Sequence, residues 1–371
     1  MLEQIKETIR QSENGLISYR EFISLALYAP NAGYYASDRV KIGRSGDFYT
    51  SANVSDILGT VLGKWFGFLI AHGKTAPVIC ELGGGTGRLA RSVLDALKLA
   101  VPEIYHEIKY MMVETSPYHI SLQKESLREH PAAVFLTDIE EAGNLEGILF
   151  SNEFFDAFPV SVIEMRDGEL FEVFVGLADG RLIEKPVILR DPAILRFLAE
   201  GGWQLSEGQR LEVPLDMLDY LDKIDRSFSK GVMLTLDYGY TQEEWMAPEV
   251  RSGSLRAYHK HTQNHDVLAR AGEMDITAHI HWDAMRDKLR GAGFVHRSLL
   301  RQDEFLLKAG ILDELTAHTD PDPFSAVSSR NRAARSLITP GGISSSFRVS
   351  LDTRNMEEAI LFPNEKPMEL K

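Results

Sequence analysis

Four glycines fall within the five residues 83–87, and this stretch limits the possible folds more than any other. The mostly apolar run Val78–Leu82 before it is typical of a short buried strand. From Arg88 to Leu99 the apolar residues recur at helical spacing. Glycine permits the sharp turn with positive φ that must join the two elements. The stretch therefore predicts a strand, a glycine loop and a helix N-terminus, where a ligand can approach bare backbone.

The spacing within the loop indicates which ligand it takes. The pattern Glu81-x-Gly83-x-Gly85-x-Gly87 differs from the G-x-G-x-x-G of dinucleotide-binding loops. S-adenosylmethionine (SAM) has no phosphate, but it has an ammonium group. An acid two residues before the first glycine suits a ligand with such a group. We expect SAM as the cofactor, bound by Glu81, Gly83, Gly85 and Gly87. A glycine-rich turn that binds nothing is the alternative, and the context must decide between the two.

Strands and helices alternate after the glycine loop. Ser116-Pro117 supplies an N-cap and a first-turn proline for one of the helices. Apolar runs predict the strands at 108–114, 133–136, 147–150, 232–236, 294–300 and 347–351. Alternation of this kind is typical of an α/β fold with a mostly parallel sheet, whose ligands gather at the carboxyl ends of the strands.

Other segments surround this α/β core. Before it, two helices are predicted, and Ser18-x-x-Glu21 is a capping box that begins the second. An antiparallel meander with Asp-Gly turns interrupts the alternation, and a later stretch is irregular and polar. We therefore predict a helical N-terminal extension at 1–74, a main domain at 75–354 and a tail at 355–371. The main domain contains two insertions, at about 160–214 and at about 240–282.

Three acids stand at or just past the ends of successive predicted strands. Glu114 can accept hydrogen bonds from two ribose hydroxyls, and Asp138 can accept one from an adenine amino group. Asn152 and Glu153 follow the fourth strand, at the edge that faces the transferred group. Three such acids in register with a glycine loop rarely coincide by chance, so they favour a nucleotide-like cofactor. An NAD-type oxidoreductase is the competitor, since Glu114 would serve a nicotinamide ribose equally well.

The charge and the apolar segments restrict the partners. The 371 residues have a net charge of −14, which argues against nucleic-acid binding because that needs a concentrated basic surface. The single cysteine, Cys80, excludes an intrachain disulfide. Residues 1–7 resemble neither a signal peptide nor a transit peptide, and the most apolar segment, 54–71, contains Asp56 and Lys64. We expect a cytoplasmic protein that contacts no membrane.

Five histidines lie between residues 259 and 281. The pairs His259/His261 and His279/His281 would each place two imidazoles on one face of a strand. Because neither an H-E-x-x-H spacing nor a nearby cysteine accompanies them, loop histidines that cap or hydrogen-bond are the better interpretation. We predict no metal site.

Several longer motifs resemble one known family. The most specific are the loop Gly46-Asp47-Phe48-x-Thr50-Ser51 and the run Asn152-Glu153-Phe154-Phe155-Asp156-Ala157. Other matches are Tyr28-Ala29-Pro30-x-x-Gly33-Tyr34-Tyr35, Val113-Glu114-x-Ser116-Pro117, Asp237-Tyr238-Gly239 and Asp275-Ile276-Thr277-Ala278-His279-Ile280. In these stretches the chain resembles the MidA-like family of SAM-dependent methyltransferases. The resemblance implies a class I methyltransferase fold, Rossmann-like with a seven-stranded sheet, and an N-terminal helical extension.

The loop at 46–51 extends the expected cofactor site. We expect it to close over SAM and exclude water, with Asp47, Phe48, Thr50 and Ser51 contacting the cofactor. The family commonly continues this loop as Thr-Ser-Pro-Glu, whereas this chain has Ser51-Ala52-Asn53. A role for a glutamate at that point is therefore not expected here.

Two carboxylates beside aromatic rings indicate the methyl acceptor. Glu153 and Asp156 flank Phe154-Phe155, and a guanidinium presents forked donors to acids and stacks on rings. For the mitochondrial member of the family, the resemblance implies methylation of an arginine in a partner protein. We expect Glu153 and Asp156 to act in catalysis by orienting a protein arginine. A lysine or small-molecule acceptor, a cap role for Asp156 and a non-catalytic methyltransferase-fold binding protein are the alternatives.

Overall fold

The computed structural model describes residues 1–36, 56–259, 262–264, 266–320, 322, 325–339, 341, 343–357 and 361–363. Its helices, in chain order, are α1 (Leu2–Gln11), α2 (Tyr19–Tyr28), α3 (Ile57–Ala71), α4 (Arg88–Ala100), α5 (Pro117–Ser126), α6 (Pro192–Gly201), α7 (Leu215–Ser227), α8 (Gln242–Trp245), α9 (Trp282–Gly291), α10 (Gln302–Lys308) and α11 (Ala326–Ser336). Its strands are β1 (Leu16–Ser18), β2 (Val78–Leu82), β3 (Lys109–Val113), β4 (Ala133–Leu136), β5 (Leu145–Asn152), β6 (Ser161–Arg166), β7 (Glu169–Ala178), β8 (Arg181–Ile188), β9 (Arg210–Val213), β10 (Phe228–Tyr240), β11 (Arg256–His259), β12 (Thr262–Asn264), β13 (Asp275–Thr277), β14 (Ile280–His281), β15 (Phe294–Arg301) and β16 (Phe347–Arg354).

The chain forms two compact units, and both are assembled from separate stretches of sequence. The first unit comprises Met1–Phe48, Phe155–Asp222 and Gly239–Lys288. The second unit comprises Tyr49–Phe154, Lys223–Tyr238 and Leu289–Lys371.

The second unit is built on a sheet with the strand order β15-β16-β10-β5-β2-β3-β4. From β10 to β4 all neighbouring strands are parallel, whereas β16 is antiparallel to both β10 and β15. This confirms the predicted α/β class and its mostly parallel sheet, in which this path runs through seven strands. Cys80 lies in β2 and is fully buried, and burial raises the pKa of its thiol to about 12.

Glycines allow the two helices beside this sheet to approach closely. A Cβ added to Gly59 of α3 would lie 2.5 Å from the Cβ of Ser92 in α4, and one on Gly63 would lie 2.5 Å from the carbonyl oxygen of Val93. Trp65 and Phe66, on the same helix, are 1% and 0% exposed in the core of the unit. The small residues at 59 and 63 are therefore required by backbone-to-backbone packing, while the aromatic residues supply the apolar burial.

The first unit contains the predicted antiparallel meander, in which β7 pairs with β6 and β8. Both connecting turns have positive φ at each central residue, with 49° and 76° at Asp167-Gly168 and 49° and 75° at Asp179-Gly180. Such turns match the twist of the flanking strands, and Asp-Gly suits them. Helix α2 begins where the sequence predicts it, because Ser18 Oγ accepts a hydrogen bond from the Glu21 backbone N–H at 3.1 Å. The pairing of β7 with β6 and β8 confirms the predicted antiparallel insertion.

Residues 241–281, interpreted from the sequence as irregular, contain regular structure. Strands β11, β12 and β13 form a small antiparallel sheet, and β14 extends β10 through the pair Gly239–Ile280. These strands are two to four residues long, which is too short for an alternating pattern to show in the sequence. Among the residues described, no helix combines the length and apolarity that a membrane crossing requires.

Candidate functional site

The sheet of the second unit changes its direction of winding between β2 and β5. From β2 the chain continues to β3 and β4 on one side, whereas β5 is followed by β10 on the other. The two strands end together, with Leu82 paired to Ser151. Open α/β sheets bind their ligands at such a switch point, outside the carboxyl ends of the strands. The glycine loop that follows β2 lies at this edge.

The glycine loop has the backbone conformation that only glycine adopts easily. Gly83, Gly85 and Gly87 have φ of 68°, 50° and 74°, in the left-handed region. Helix α5 holds the loop from one side, since Gln123 Nε2 donates to the Gly85 carbonyl at 3.0 Å and Ser126 Oγ donates to the Gly87 carbonyl at 3.2 Å. The loop is thus pre-shaped, with α4 beginning directly after it.

Glu81 lies beneath the loop and is 2% exposed. Its Oε2 accepts a hydrogen bond from the Tyr110 hydroxyl at 2.7 Å, and its Cδ would lie 3.3 Å from a Cβ added to Gly84. Burial raises the pKa of the Glu81 carboxyl to about 7, and the hydrogen bond from Tyr110 offsets only part of this effect. Within the described ranges no basic side chain forms an ion pair with this carboxyl, so a cation bound at the loop could supply its counter-charge.

The two other strand-end acids already have protein partners. Glu114 Oε1 accepts from the Ser116 backbone N–H at 2.8 Å, and Oε2 lies 3.6 Å from His119 Nδ1. Asp138 accepts from the Glu140 backbone N–H at 3.0 Å and pairs with Lys223. Although burial opposes it, the hydrogen bond from Lys223 lowers the pKa of Asp138. Both acids therefore have a structural role, in which they accept hydrogen bonds from nearby backbone N–H groups, and Asp138 also forms an ion pair.

At the end of β5, Asn152 is hydrogen-bonded to Glu153, whose backbone has an unusual conformation. Asn152 Nδ2 donates to Glu153 Oε1 at 3.1 Å, while Asn152 Oδ1 is buried without a hydrogen-bond partner in the described part of the chain. Glu153 has φ of 50°, which a side chain with Cβ seldom adopts and which is typical of functional sites. Its backbone N–H donates to the Leu236 carbonyl at 2.9 Å.

Asp237, not among the residues predicted for the site, also lies at this edge of the sheet. It is 0% exposed, and its carboxylate accepts from the backbone N–H groups of Phe154 at 3.3 Å and Tyr238 at 2.8 Å. The signal that could have found it is the one that selected Glu114 and Asp138, an acid at the end of an apolar strand.

The sequence predicts five further residues for the site. Asp47, Phe48, Thr50 and Ser51 are outside the described residues. Asp156 belongs to the first unit, where it is 5% exposed within the turn Phe155–Ala157 and its carbonyl accepts from the Ala278 N–H at 2.9 Å.

Of the five histidines between residues 259 and 281, the three that the structure describes, His259, His279 and His281, are hydrogen-bonding or core residues. Burial lowers the pKa of His279 to about 4 and of His281 to about 3. His281 Nε2 contacts the Glu212 carbonyl at 2.7 Å, and its ring stacks on Trp245 at 4.4 Å. His261 and His265 fall outside the described residues, and within the rest no three His, Cys, Asp or Glu side chains are grouped to hold a metal ion.

The chemistry of this edge suits SAM. Glu81 is a buried acid that can pair with an ammonium group. Asn152 Oδ1 is a buried acceptor that has no hydrogen-bond partner among the described residues and could accept from a ligand. Left-handed φ at Gly83, Gly85 and Gly87 gives the loop a backbone shape that residues with a Cβ rarely adopt. A pyrophosphate bound at this loop would instead meet the buried carboxyl of Glu81.

Comparison with known proteins agrees with this chemistry. The sequence profile of a family described as "Putative S-adenosyl-L-methionine-dependent methyltransferase" matches residues 61–298. A protein arginine methyltransferase NDUFAF7 homolog, mitochondrial, from Drosophila melanogaster is 28% identical over 345 residues, which cover 83% of this chain and 75% of that one. The Homo sapiens protein arginine methyltransferase NDUFAF7, mitochondrial, is 27% identical over 338 residues, 84% and 73% of the two chains.

A solved structure is similar over nearly the whole chain. It is a "likely methyl transferase" from Burkholderia thailandensis bound to S-adenosyl-homocysteine, with a TM-score of 0.86 and 25% identity over 97% of this chain and 93% of that one. This similarity confirms the class I methyltransferase fold. The expectation of a cytoplasmic location is wrong, because the curated relatives are mitochondrial proteins.

Proposed function

This chain belongs to the MidA-like family of SAM-dependent methyltransferases, and on that basis we propose that it methylates an arginine side chain of a protein. Its cofactor is SAM and its activity is that of a SAM-dependent methyltransferase. The observation that supports arginine is that relatives about a quarter identical over most of the chain are named protein arginine methyltransferases.

For the cofactor, we propose that the second unit supplies the binding residues. The glycine loop and Glu81 would hold the amino-acid end of SAM, Glu114 the ribose hydroxyls and Asp138 the adenine amino group. Asn152 would accept a hydrogen bond through its buried Oδ1. When bound, SAM supplies a methyl group activated by its sulfonium. The residues Asp47, Phe48, Thr50 and Ser51 are proposed to cover it and exclude water.

For the acceptor, we propose Glu153 as the residue that orients the guanidinium. The Asn152 amide fixes Glu153 Oε1, so the carboxylate is presented in a defined direction. A strong base is not needed, because an arginine keeps its proton until its charge is dispersed. The acid would act by holding one nitrogen in line for transfer, which is a proximity effect. Asp156 is proposed as a second acid toward the same substrate.

The experiment that tests the function is labelling of a cell extract with isotopic SAM, followed by mass spectrometry of the labelled residue. We expect label on arginine, and its loss in Glu153→Gln with S-adenosylhomocysteine affinity retained in calorimetry. Glu146→Gln is the matched control, since Glu146 is an exposed glutamate near the start of the same strand, β5. Label on a small metabolite alone would reject the arginine acceptor and leave the methyltransferase activity in place.

A further inference from the structure

The turn after β5 is fixed by the neighbouring strand β10. The Glu153 N–H donates to the Leu236 carbonyl at 2.9 Å, and the next N–H, that of Phe154, donates to Asp237 Oδ2 at 3.3 Å. The second oxygen of the same carboxylate accepts from the Tyr238 N–H at 2.8 Å. Successive backbone groups of the turn are thus held by successive residues of β10, in register with the pairing of Leu236 to Asn152.

These bonds explain how an unfavourable backbone conformation persists. The left-handed φ of 50° at Glu153 costs about 1 kcal/mol or more for a residue with a side chain, and it needs surroundings that over-determine it. The Leu236 carbonyl fixes the amide before the Glu153 Cα, and the Asp237 carboxylate fixes the amide after it. Both peptide planes next to Glu153 are therefore held.

Phe154 links this turn to the glycine loop. A Cβ added to Gly83 would lie 2.5 Å from Cδ2 and 3.3 Å from Cε2 of the Phe154 ring. The ring thus occupies the space in which any other residue at 83 would place its side chain. A shift of the Phe154 backbone would move this ring against the loop, or leave the loop without its support.

We propose that Asp237 is a positioning residue of the cofactor site. Its buried carboxylate fixes the Glu153–Phe154 backbone and, through the Phe154 ring, the shape of the glycine loop. This inference rests on the proposed binding of SAM at that loop. Asp352 offers a comparison: it is also buried, in β16 of the same sheet, but its carboxylate bonds to Ser350 and His296.

The test is calorimetric titration of the full chain with S-adenosylhomocysteine. In Asp237→Asn one of the two backbone N–H groups loses its acceptor and faces an amide N–H, and the loss of a bond to a charged group predicts an increase in Kd of about tenfold or more. Asp352→Asn, the matched control, is expected to bind within about twofold of the unmodified chain. Circular dichroism establishes that each variant is folded.

Two further variants separate positioning from a general loss of stability. Because Asp237 acts through Phe154, Phe154→Ala and Asp237→Asn should not multiply their effects on Kd when combined. Effects that multiply would overturn the proposal. Should Asp237→Asn fail to fold, Asp237→Glu keeps the charge but displaces it by one methylene, and an unchanged Kd in that variant would overturn the proposal as well.

The cofactor placement and the role of Asp237 can fail separately. Gly85→Val places a β-branched side chain at a left-handed position of the loop, which should abolish binding of S-adenosylhomocysteine. If it does, and Asp237→Asn still binds within twofold of the unmodified chain, the loop is the cofactor site and the inference about Asp237 is wrong. If Gly85→Val binds normally, the placement of the cofactor is wrong and the inference falls with it.

Discussion

Replacing Glu81 by glutamine should stabilise the protein at alkaline pH and weaken its cofactor binding. Glu81 is 2% exposed, and burial is the main cause that raises the pKa of its carboxyl to about 7. Glutamine resembles the protonated acid, and its carbonyl oxygen can still accept the hydrogen bond that Tyr110 donates. The variant therefore removes the cost of a buried negative charge without removing the local contact.

The size of the effect follows from the two pKa values. A rise from the ordinary 4.5 to about 7 corresponds to about 3–4 kcal/mol, at about 1.4 kcal/mol per tenfold change in proton affinity. Because the folded state binds the proton more tightly, the contribution of Glu81 to stability is fully present below about pH 4.5. It is lost as the pH rises through about 7. The advantage of Glu81→Gln should therefore grow by roughly 2–3 kcal/mol between about pH 5 and about pH 8.

The assay is urea unfolding of both proteins, without ligand, across this pH range. Asp138→Asn is the control, because the pKa of Asp138 is shifted in the opposite direction from that of Glu81. Although burial opposes it, the Lys223 hydrogen bond lowers the pKa of Asp138. The stability it contributes is present above its unfolded pKa and is lost as pH falls through the folded one. Its effect should therefore stay constant above about pH 5. A pH-independent difference for Glu81→Gln would refute the reasoning. The same variant should bind S-adenosylhomocysteine more weakly, because the ammonium group loses its counter-charge.

Three other predictions can be checked directly. S-adenosylhomocysteine at about 100 times its Kd should stabilise the protein by roughly 2.7 kcal/mol in thermal unfolding, whereas NAD should give no shift; a shift with NAD alone would contradict the assignment. Glu114→Ala should weaken binding of S-adenosylhomocysteine in calorimetry while the fold survives, and unchanged affinity would remove Glu114 from the site. Gly63→Ala should cost about 1–3 kcal/mol in urea unfolding, because its Cβ would lie 2.5 Å from a backbone oxygen. Gly67→Ala, whose Cβ would meet only side-chain atoms at 3.3 Å or more, should be neutral or stabilising; equal costs would show that close packing is not the reason for the glycines.

Much of the fold is predictable because its signals are local. The strand and helix around the glycine loop follow from residues 78–99. Ser116 caps α5 by accepting from the His119 N–H, and the Asp-Gly turns form where the dipeptides occur. In each case the residues that determine the structure are within a few positions of one another. The small sheet of β11, β12 and β13 has no such signal, since strands of three or four residues are defined by their partners.

The site shows where local signals stop. Glu114, Asp138 and Asp237 each stand at the end of a strand or just past it, and the sequence gives no reason to treat them differently. Their surroundings in the folded chain distinguish them. Asp138 pairs with Lys223, 85 residues away, and Asp237 accepts from the N–H of Phe154, 83 residues away. Whether a strand-end carboxylate faces a ligand or a backbone amide depends on which strand lies beside it. That neighbour is set by the order of strands in the sheet, which is a property of the folded chain. Asp237, which is not among the predicted site residues, is therefore recognised only in the folded chain, where its carboxylate accepts from the backbone N–H groups of Phe154 and Tyr238.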